Sequence, residues 1–455
     1  MFNLSFKSIL KETKGYPKNI PFKEIEIKNI VIDDKDVSKN SVFIAIIGKN
    51  FNGHDFVPLA FKKGAAFAIT EKEVANFPQI VVKNTREAFL KIASLNRSFF
   101  NGFLFGITGS VGKTSTKDML AIILNDQMNT LKTIGNLNND IGVPKTLLNL
   151  SPLHKAAVIE MGMSALGEIK VLSKAARPTA AIITNIGISH IEFLKTKENI
   201  LKAKLEILEG MPKNSNLFLN GDDEYLKNLK LKDNNIVFCG IKNKNAAYSA
   251  RNIKQVKLST QFDLYEENEF KTTIVLPTLG KHNILNSLLV IAASHFIKIS
   301  FEEIKDSLKK FVPSAMRQNI FEKNGIIILS DCYNASPQSV VAAIKTLKKI
   351  AISSNRKIAI LGSMLELGEI SKQEHFKIGQ FVAKNKIDAL WCLGEETKEM
   401  VKGATKENKN FDVKYFTTRQ DLIDHIKKNA KLNDIMLFKA SLGMNFKEII
   451  TNSFF

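Results

Sequence analysis

The stretch GITGSVGKTST, residues 106–116, ends in the Gly-Lys-Thr run that can cradle a phosphate, and its glycines Gly106, Gly109 and Gly112 are spaced by three. The common phosphate loop, G-x-x-x-x-G-K-[ST], puts its first glycine five residues before the second, where this chain has Ile107. FLFGI (103–107) suits a buried strand, and residues 113–124 have helical periodicity. A strand, a glycine-rich turn and a helix N-terminus bring several N–H groups of Gly109, Ser110, Val111, Gly112, Lys113, Thr114 and Ser115 toward one anion. Lys113 is then expected to reach the outer phosphates, and the Thr114 hydroxyl to ligate Mg²⁺. The alternative is an ordinary strand-to-helix turn.

Four further stretches place chemistry at expected strand ends, where α/β proteins hold ligands. AAVIEM (156–161) delivers Glu160, either a Mg²⁺ ligand or a solvated strand-end carboxylate. AAIITNI (180–186) runs into Gly187 and His190, a metal ligand or a structural histidine. GNLNNDIGVP (135–144) offers Asn138 and Asn139 to phosphates or substrate, unless it is a plain loop. LGKHNILNSL (279–288) sets Asn283 and Asn286 on one helical face, as a cap or to reach a base.

Positioning these groups takes a large chain. Its 455 residues exceed one core and suggest three domains. A composition 44% hydrophobic and 24% charged describes a soluble globular protein. No apolar run reaches the roughly 18–20 residues that span a bilayer, and the N-terminus has no small-residue cleavage site. Cys239, Cys332 and Cys392 are far apart, which fits a reducing cytoplasm without zinc or disulfides. The net charge of +20 is spread over helix faces such as KTLKKI, SLKKF and IKKNAK, with no basic tail or aromatic patch. It reads as a solvated surface favouring anionic substrates rather than nucleic acid. Strands and helices alternate along the chain and restart near Pro313, so the fold class is α/β with largely parallel sheets.

Taken together, TGSVGKTS and the ordered set Lys113, Glu160, His190, Asn283, Asn286, Arg317 and Asp331 resemble the Mur ligase family over essentially the whole chain. The resemblance implies a small α/β UDP-substrate-binding domain (1–83), a central P-loop ATPase-like domain (84–311) and a C-terminal Rossmann-like ligase domain (312–455). SDCYNASPQS (330–339) and ILGSMLELGE (360–369) look like the branch that adds D-Ala-D-Ala, and residues 32–56 resemble the UDP-sugar-binding domain shared by the branches that add the third residue and the dipeptide. The family route transfers the γ-phosphoryl group of ATP to the C-terminal carboxylate of UDP-MurNAc-tripeptide, and the dipeptide amine attacks the acyl phosphate. The resemblance assigns ATP to residues 109–115 with Asn283, Asn286, Arg317 and Asp331. It gives one Mg²⁺ to Thr114 and Glu160, and a second to His190 with Lys204 as a carbamate. Lys202 is the adjacent alternative to Lys204, but the family pattern is Ala-Lys and Lys204 follows Ala203. Without the resemblance Lys204 would read as a surface helix lysine.

Asp33, Asp34, Asn138, Asn139, Asn334 and Ser336 are the expected substrate contacts, in a cytoplasmic monomer. Three departures stand out: Asp33-Asp34-Lys35 where the family has Asp-Ser-Arg, Ser363 where it has Asp, and Lys439-Ala440-Ser441-Leu442 where it has Lys-Gly-Ser-Arg. The rival readings are a ligase of a different muropeptide or of folate, and a P-loop switch or nucleic-acid binder without ligase activity.

Overall fold

The computed structural model describes residues 1–20, 25–243, 246–314, 316–351 and 356–455. Three sheets follow one another along the chain. The first has five strands in the order Tyr16–Lys18, Gln79–Val81, Ala65–Thr70, Ser41–Ile44 and Asn29–Val31, parallel except for the outermost Tyr16–Lys18. Helix Thr85–Ser98 follows, capped by the Asn84 side chain on the Glu87 N–H. It packs on Phe6–Thr13 of the first unit and on Gly142–Leu148 and Glu168–Ala176 of the next, so one apolar core runs between them.

The second sheet has nine strands. Its parallel part runs Thr130–Lys132, Ala156–Glu160, Phe103–Thr108, Ala180–Ile183, Asn216–Asn220 and Asn235–Gly240. Side chains along these strands alternate between two cores. Leu104, Ile159 and Ile183 face one; Phe105, Ile107, Val158 and Ile182 face the other. That two-sided burial is why the strands read as unbroken apolar runs. Phe103–Thr108 lies between Ala156–Glu160 and Ala180–Ile183, so the loop after it, Glu160 and residue 184 onward emerge together at one edge.

The sheet ends in a meander, Tyr248–Val256, Ser259–Glu266 and Glu269–Leu276, paired antiparallel. The sequence suggests only strand–helix alternation before the helix near 282–297, so the meander is a correction. In Ser259–Glu266 and Glu269–Leu276 burial alternates, at Thr260, Phe262 and Leu264 and at Thr272, Ile274 and Leu276, and most of the other positions are polar. One tight turn places Glu267 and Asn268 at φ 47° and 71°, a hairpin conformation usually advertised by Asn-Gly. Helix Lys281–Phe296 then returns across the sheet.

The third sheet runs Asn319–Lys323, Ile326–Ser330, Ile435–Lys439, Lys357–Gly362, Ala389–Leu393 and Asp412–Phe416, antiparallel only at Asn319–Lys323. Ile328, Ile360, Trp391 and Phe438 face one core while Leu329, Leu361, Cys392 and Leu437 face the other. No helix among the described residues is long and apolar enough to cross a membrane.

Candidate active site

The glycine-rich turn joins strand Phe103–Thr108 to helix Lys113–Gln127. Gly109 has φ 150°, and a Cβ there would stand 1.8 Å from Thr184 Oγ1; Gly112 has φ 86°, with a Cβ 2.9 Å from Asn286 Oδ1. Gly106 has a different job. It sits inside the strand, where a Cβ would meet Ile207 and Pro178 at 3.0 Å, so it is a packing glycine rather than part of the turn.

Residues 184–187 hold the turn. Asn185 Oδ1 accepts the Val111 N–H at 3.0 Å, and its backbone carbonyl accepts the Ser110 N–H at 3.1 Å. Thr184 Oγ1 and Asn185 Nδ2 donate to the Val111 carbonyl at 2.6 and 2.9 Å, and the Gly187 N–H donates to Ser110 Oγ at 2.8 Å. Sequence reasoning passed over Asn185, although it lies between the flagged strand and Gly187.

Glu160 is buried rather than a solvated strand end. Thr114 Oγ1 donates to its Oε2 at 2.8 Å, and Asn138 Nδ2 to its Oε1 at 2.7 Å. Its own N–H donates to Thr133 Oγ1 at 3.0 Å. The buried Lys117 ammonium lies 3.9 Å from the same carboxylate and donates to the Gly135 carbonyl. Lys113 Nζ curls back to the Gly109 carbonyl at 2.8 Å. Its burial pushes the ammonium below its usual range; Glu160 opposes this shift and Arg317 adds to it.

These groups open into a cavity of about 520 Å³ shared by the second and third units. The turn, Asn138, Asn139, Glu160, His190, Asn283 and Asn286 line one side; Arg317, Asp331, Asn334 and Ser336 line the other. The Arg317 guanidinium stacks 3.8 Å above the Tyr333 ring. Asp331 pairs with the buried Lys439 at 2.9 Å, and Lys439 also donates to the Asn334 carbonyl at 2.9 Å. Asn283 Nδ2 donates to Thr278 Oγ1, the Leu279 carbonyl and Gln318 Oε1, tying its helix to the third unit. Ser336 heads helix Pro337–Ile350 as its N-cap, its N–H donating to Ser339 Oγ at 2.9 Å. Asp223, His282, Gln318, Tyr333 and Lys439 also line the cavity, and sequence reasoning singled out none of them as site residues.

Four expected site residues lie off this lining: Gly109, packed against Thr184, and Asp33, Asp34 and Lys204. Asp33 accepts the Lys35 N–H and Asp34 pairs with Lys63 at 2.7 Å, both in the first unit. Lys204, in helix Lys197–Leu205, is 2% exposed, so it is not the surface lysine its helix pattern suggests. Burial first, then the nearby Lys113 charge, push its amine well below the usual lysine range. No hydrogen bond or ion pair reaches it among the described residues.

The donor set suits Mg²⁺ only in part by itself. Among the described residues no three His, Cys, Asp or Glu converge. Thr114 and Glu160 offer hard oxygens 2.8 Å apart at the end of the phosphate loop, which fits an ion that takes its remaining ligands from phosphates and water.

The Mur ligase middle domain matches residues 107–294, the glutamate ligase domain of Mur ligases residues 316–442, and the Mur ligase family catalytic domain residues 26–97. The chain belongs to the Mur ligase family. It is 35% identical over 455 residues to the UDP-N-acetylmuramoyl-tripeptide–D-alanyl-D-alanine ligase of Bacillus subtilis (strain 168), covering 99% of this chain and 98% of the relative. The enzyme of the same name from Buchnera aphidicola subsp. Acyrthosiphon pisum is also 35% identical, with the same coverage. Among solved structures, MurF from Acinetobacter baumannii superposes with a TM-score of 0.89 at 29% identity, over 99% of both chains. MurF ligase from Thermotoga maritima in complex with ADP gives 0.85 at 27%, over 94% and 97%.

Proposed function

We propose that this Mur ligase joins D-alanyl-D-alanine to UDP-N-acetylmuramoyl-tripeptide at the expense of ATP, through an acyl phosphate. The observation that carries the reading is the one cavity in which the phosphate loop faces the 331–336 segment, in a chain whose full-length relatives bear that enzyme's name.

A carboxylate and a triphosphate repel each other, so the first step is mainly positioning and charge neutralisation. Lys113, released from the Gly109 carbonyl, and Arg317, fixed on Tyr333, supply cations from opposite walls. Mg²⁺, when bound, adds charge neutralisation at the phosphates, with Thr114 and Glu160 as one ligand set and His190 as part of a second. Lys204 completes the second set as a carbamate: its neutral amine attacks CO₂, a nitrogen–carbon bond forms, and one proton leaves. The lowered amine pKa favours that neutral form.

Asn283, Asn286 and Asp331 border the nucleotide, while Asn334 and the Ser336 hydroxyl receive the dipeptide. Asn138 and Asn139 face the tripeptide end, and Asp33 and Asp34 the UDP end. The units divide at 1–83, 84–311 and 312–455, and the enzyme works as a cytoplasmic monomer.

Phosphate release with D-Ala-D-Ala, D-Ala, L-Lys and D-Glu as acceptors tests the assignment, together with mass spectrometry of the product from a diaminopimelate- or lysine-containing UDP-tripeptide. Preference for a single amino acid would move the chain to another branch of the family.

A further inference from the structure

Position 439 is a place where burial alone would call for an apolar residue. Strand Ile435–Lys439 is central in the third sheet, paired on both sides by Ile326–Ser330 and Lys357–Gly362. Alternation gives Lys439 the same face as the buried Leu437, against which helix Pro337–Ile350 packs. Its side chain is 2% exposed, and a buried ammonium is costly unless it is paired and hydrogen-bonded.

Its partners among the described residues lie in one short segment. Nζ donates to the Asp331 carbonyl at 3.2 Å and to the Asn334 carbonyl at 2.9 Å, and lies 2.9 Å from Asp331 Oδ2. An ammonium has three N–H groups, and these three acceptors can take them all, so Lys439 borders the cavity without a donor to spare for substrate.

Segment 331–334 leads from strand Ile326–Ser330 toward the Ser336 cap of helix Pro337–Ile350. It carries Asp331 at the nucleotide end and Asn334 at the dipeptide end. Between them the Tyr333 N–H donates to the Met316 carbonyl at 3.2 Å, and the Tyr333 ring carries the Arg317 guanidinium. The Asp331 N–H donates to the Phe438 carbonyl at 2.9 Å, which fixes the start of the segment. The Lys439 bridge between the carbonyls of residues 331 and 334 fixes its span.

We propose that Lys439 is a positioning residue that sets the nucleotide and dipeptide halves of the site together: by clamping residues 331 and 334 it holds Asp331, Asn334 and the Tyr333 platform of Arg317 in one register. The catalytic sense rests on the ligation reading; the clamp itself does not.

The test uses the full chain. Lys439→Met keeps the length of the stem and removes the donors. KM for D-Ala-D-Ala and KM for ATP should both rise about 10-fold or more, the scale of losing hydrogen bonds from a charged group. KM for UDP-tripeptide should stay within about threefold, because Asp33, Asp34, Asn138 and Asn139 belong to the other two units. A lysine that served stability alone would lower the folded fraction, and with it turnover per mole, while leaving every KM in place. The second readout needs no turnover. Fluorotyrosine is incorporated at the six tyrosines, and Tyr333→Phe assigns the Tyr333 fluorine signal. That signal should move in Lys439→Met as the ring leaves Arg317, with the other five unchanged.

Lys439→Met leaves the Asp331 carboxylate without its cation, so Lys439→Met/Asp331→Asn carries the same measurements where the single variant does not fold. Asp331→Asn alone keeps both carbonyl bonds, and should leave the Tyr333 signal and the dipeptide KM in place while KM for ATP rises. Unchanged KM values in a folded Lys439→Met chain overturn the proposal, as does an equal rise for all three substrates or an unmoved Tyr333 signal. Failure of the double variant to fold also overturns it, making Lys439 a determinant of the fold. If wild type makes no product from ATP, D-Ala-D-Ala and UDP-tripeptide, the ligation reading fails, while the fluorine signal still decides the clamp.

Discussion

At Lys113 the ammonium satisfies itself on its own loop, 2.8 Å from the Gly109 carbonyl, and an incoming phosphate competes with that contact. Lys113→Ala should therefore keep the fold but lower kcat/KM about 10²- to 10³-fold, the scale of losing one preorganised donor. Phosphate release by a variant with an unchanged melting curve measures it, and wild-type turnover would remove the loop from the chemistry. Lys204 poses the opposite problem, a buried amine with no partner among the described residues. Its folded pKa is lowered well below the usual lysine range by burial and then by the Lys113 charge, so the neutral, CO₂-reactive form is more populated than on a free lysine and is lost as pH falls. Activity should decline on the acid side, and added bicarbonate should restore it only above the decline. Lys204→Ala should lose turnover yet bind ATP, with partial rescue by a small carboxylate. Lys204→Arg should fail, because a guanidinium stays charged; full activity in that variant would end the carbamate idea.

Among the elements, the loop at 363–368 owes its shape to His375. That buried ring has Nδ1 2.8 Å from the Ser371 carbonyl while Nε2 accepts the Met364 N–H, so only the neutral Nδ1–H form satisfies both. Burial lowers its pKa below the ordinary 6.5. The unfolded chain takes up a proton near 6.5 and the folded chain only at lower pH, so this contribution to stability is lost as pH falls through that window. Urea melts of wild type and His375→Gln at pH ~7.5 and ~5.5 should show a gap that narrows at the lower pH; a constant gap would refute the assignment.

Helices with strong periodicity and ends were legible in the sequence: Thr85–Ser98, Pro337–Ile350 and Ser371–Lys384 form as their patterns suggest. So did the apolar runs that become buried parallel strands, because period and burial agree there. The meander was not, because its strands are half polar and its Glu267-Asn268 turn carries no glycine. The phosphate loop and Glu160 could be found from their order after strands. Asn185, Tyr333 and Lys439 could not, because their partners lie far away in the chain: Val111 for Asn185, Arg317 for Tyr333 and Asp331 for Lys439.

Across the whole molecule the cavity has two owners, and the chain between them is short. Phe301–Leu308 ends the second unit and Asn319–Lys323 opens the third sheet, leaving Lys309, Lys310 and Arg317 in the crossing segment. A nucleotide touching the phosphate loop on one side and Arg317 and Asp331 on the other adds a bond between units that otherwise meet through contacts such as Gln255 Nε2 to the Lys349 carbonyl and His190 to Glu366. Binding then lowers the population of separated states, and at a ligand concentration of 100 Kd the stabilisation is about 2.7 kcal/mol. Trypsin cuts after the same basic residues that sit in the crossing, so cleavage there reports separation directly. ADP with Mg²⁺ at that concentration should slow scission at Lys309, Lys310 and Arg317 by about 100-fold, in the regime in which cleavage tracks the open population. Cleavage at Lys18 and Lys232, remote from the cavity lining, should change little. Arg317→Lys keeps a cleavable cation but loses the planar stack on Tyr333, so it should retain binding and give weaker protection. Equal protection of remote and crossing sites would mean that the nucleotide stabilises one unit only. Bound ADP with no protection at the crossing would place the nucleotide wholly on the second unit and dissolve the shared site.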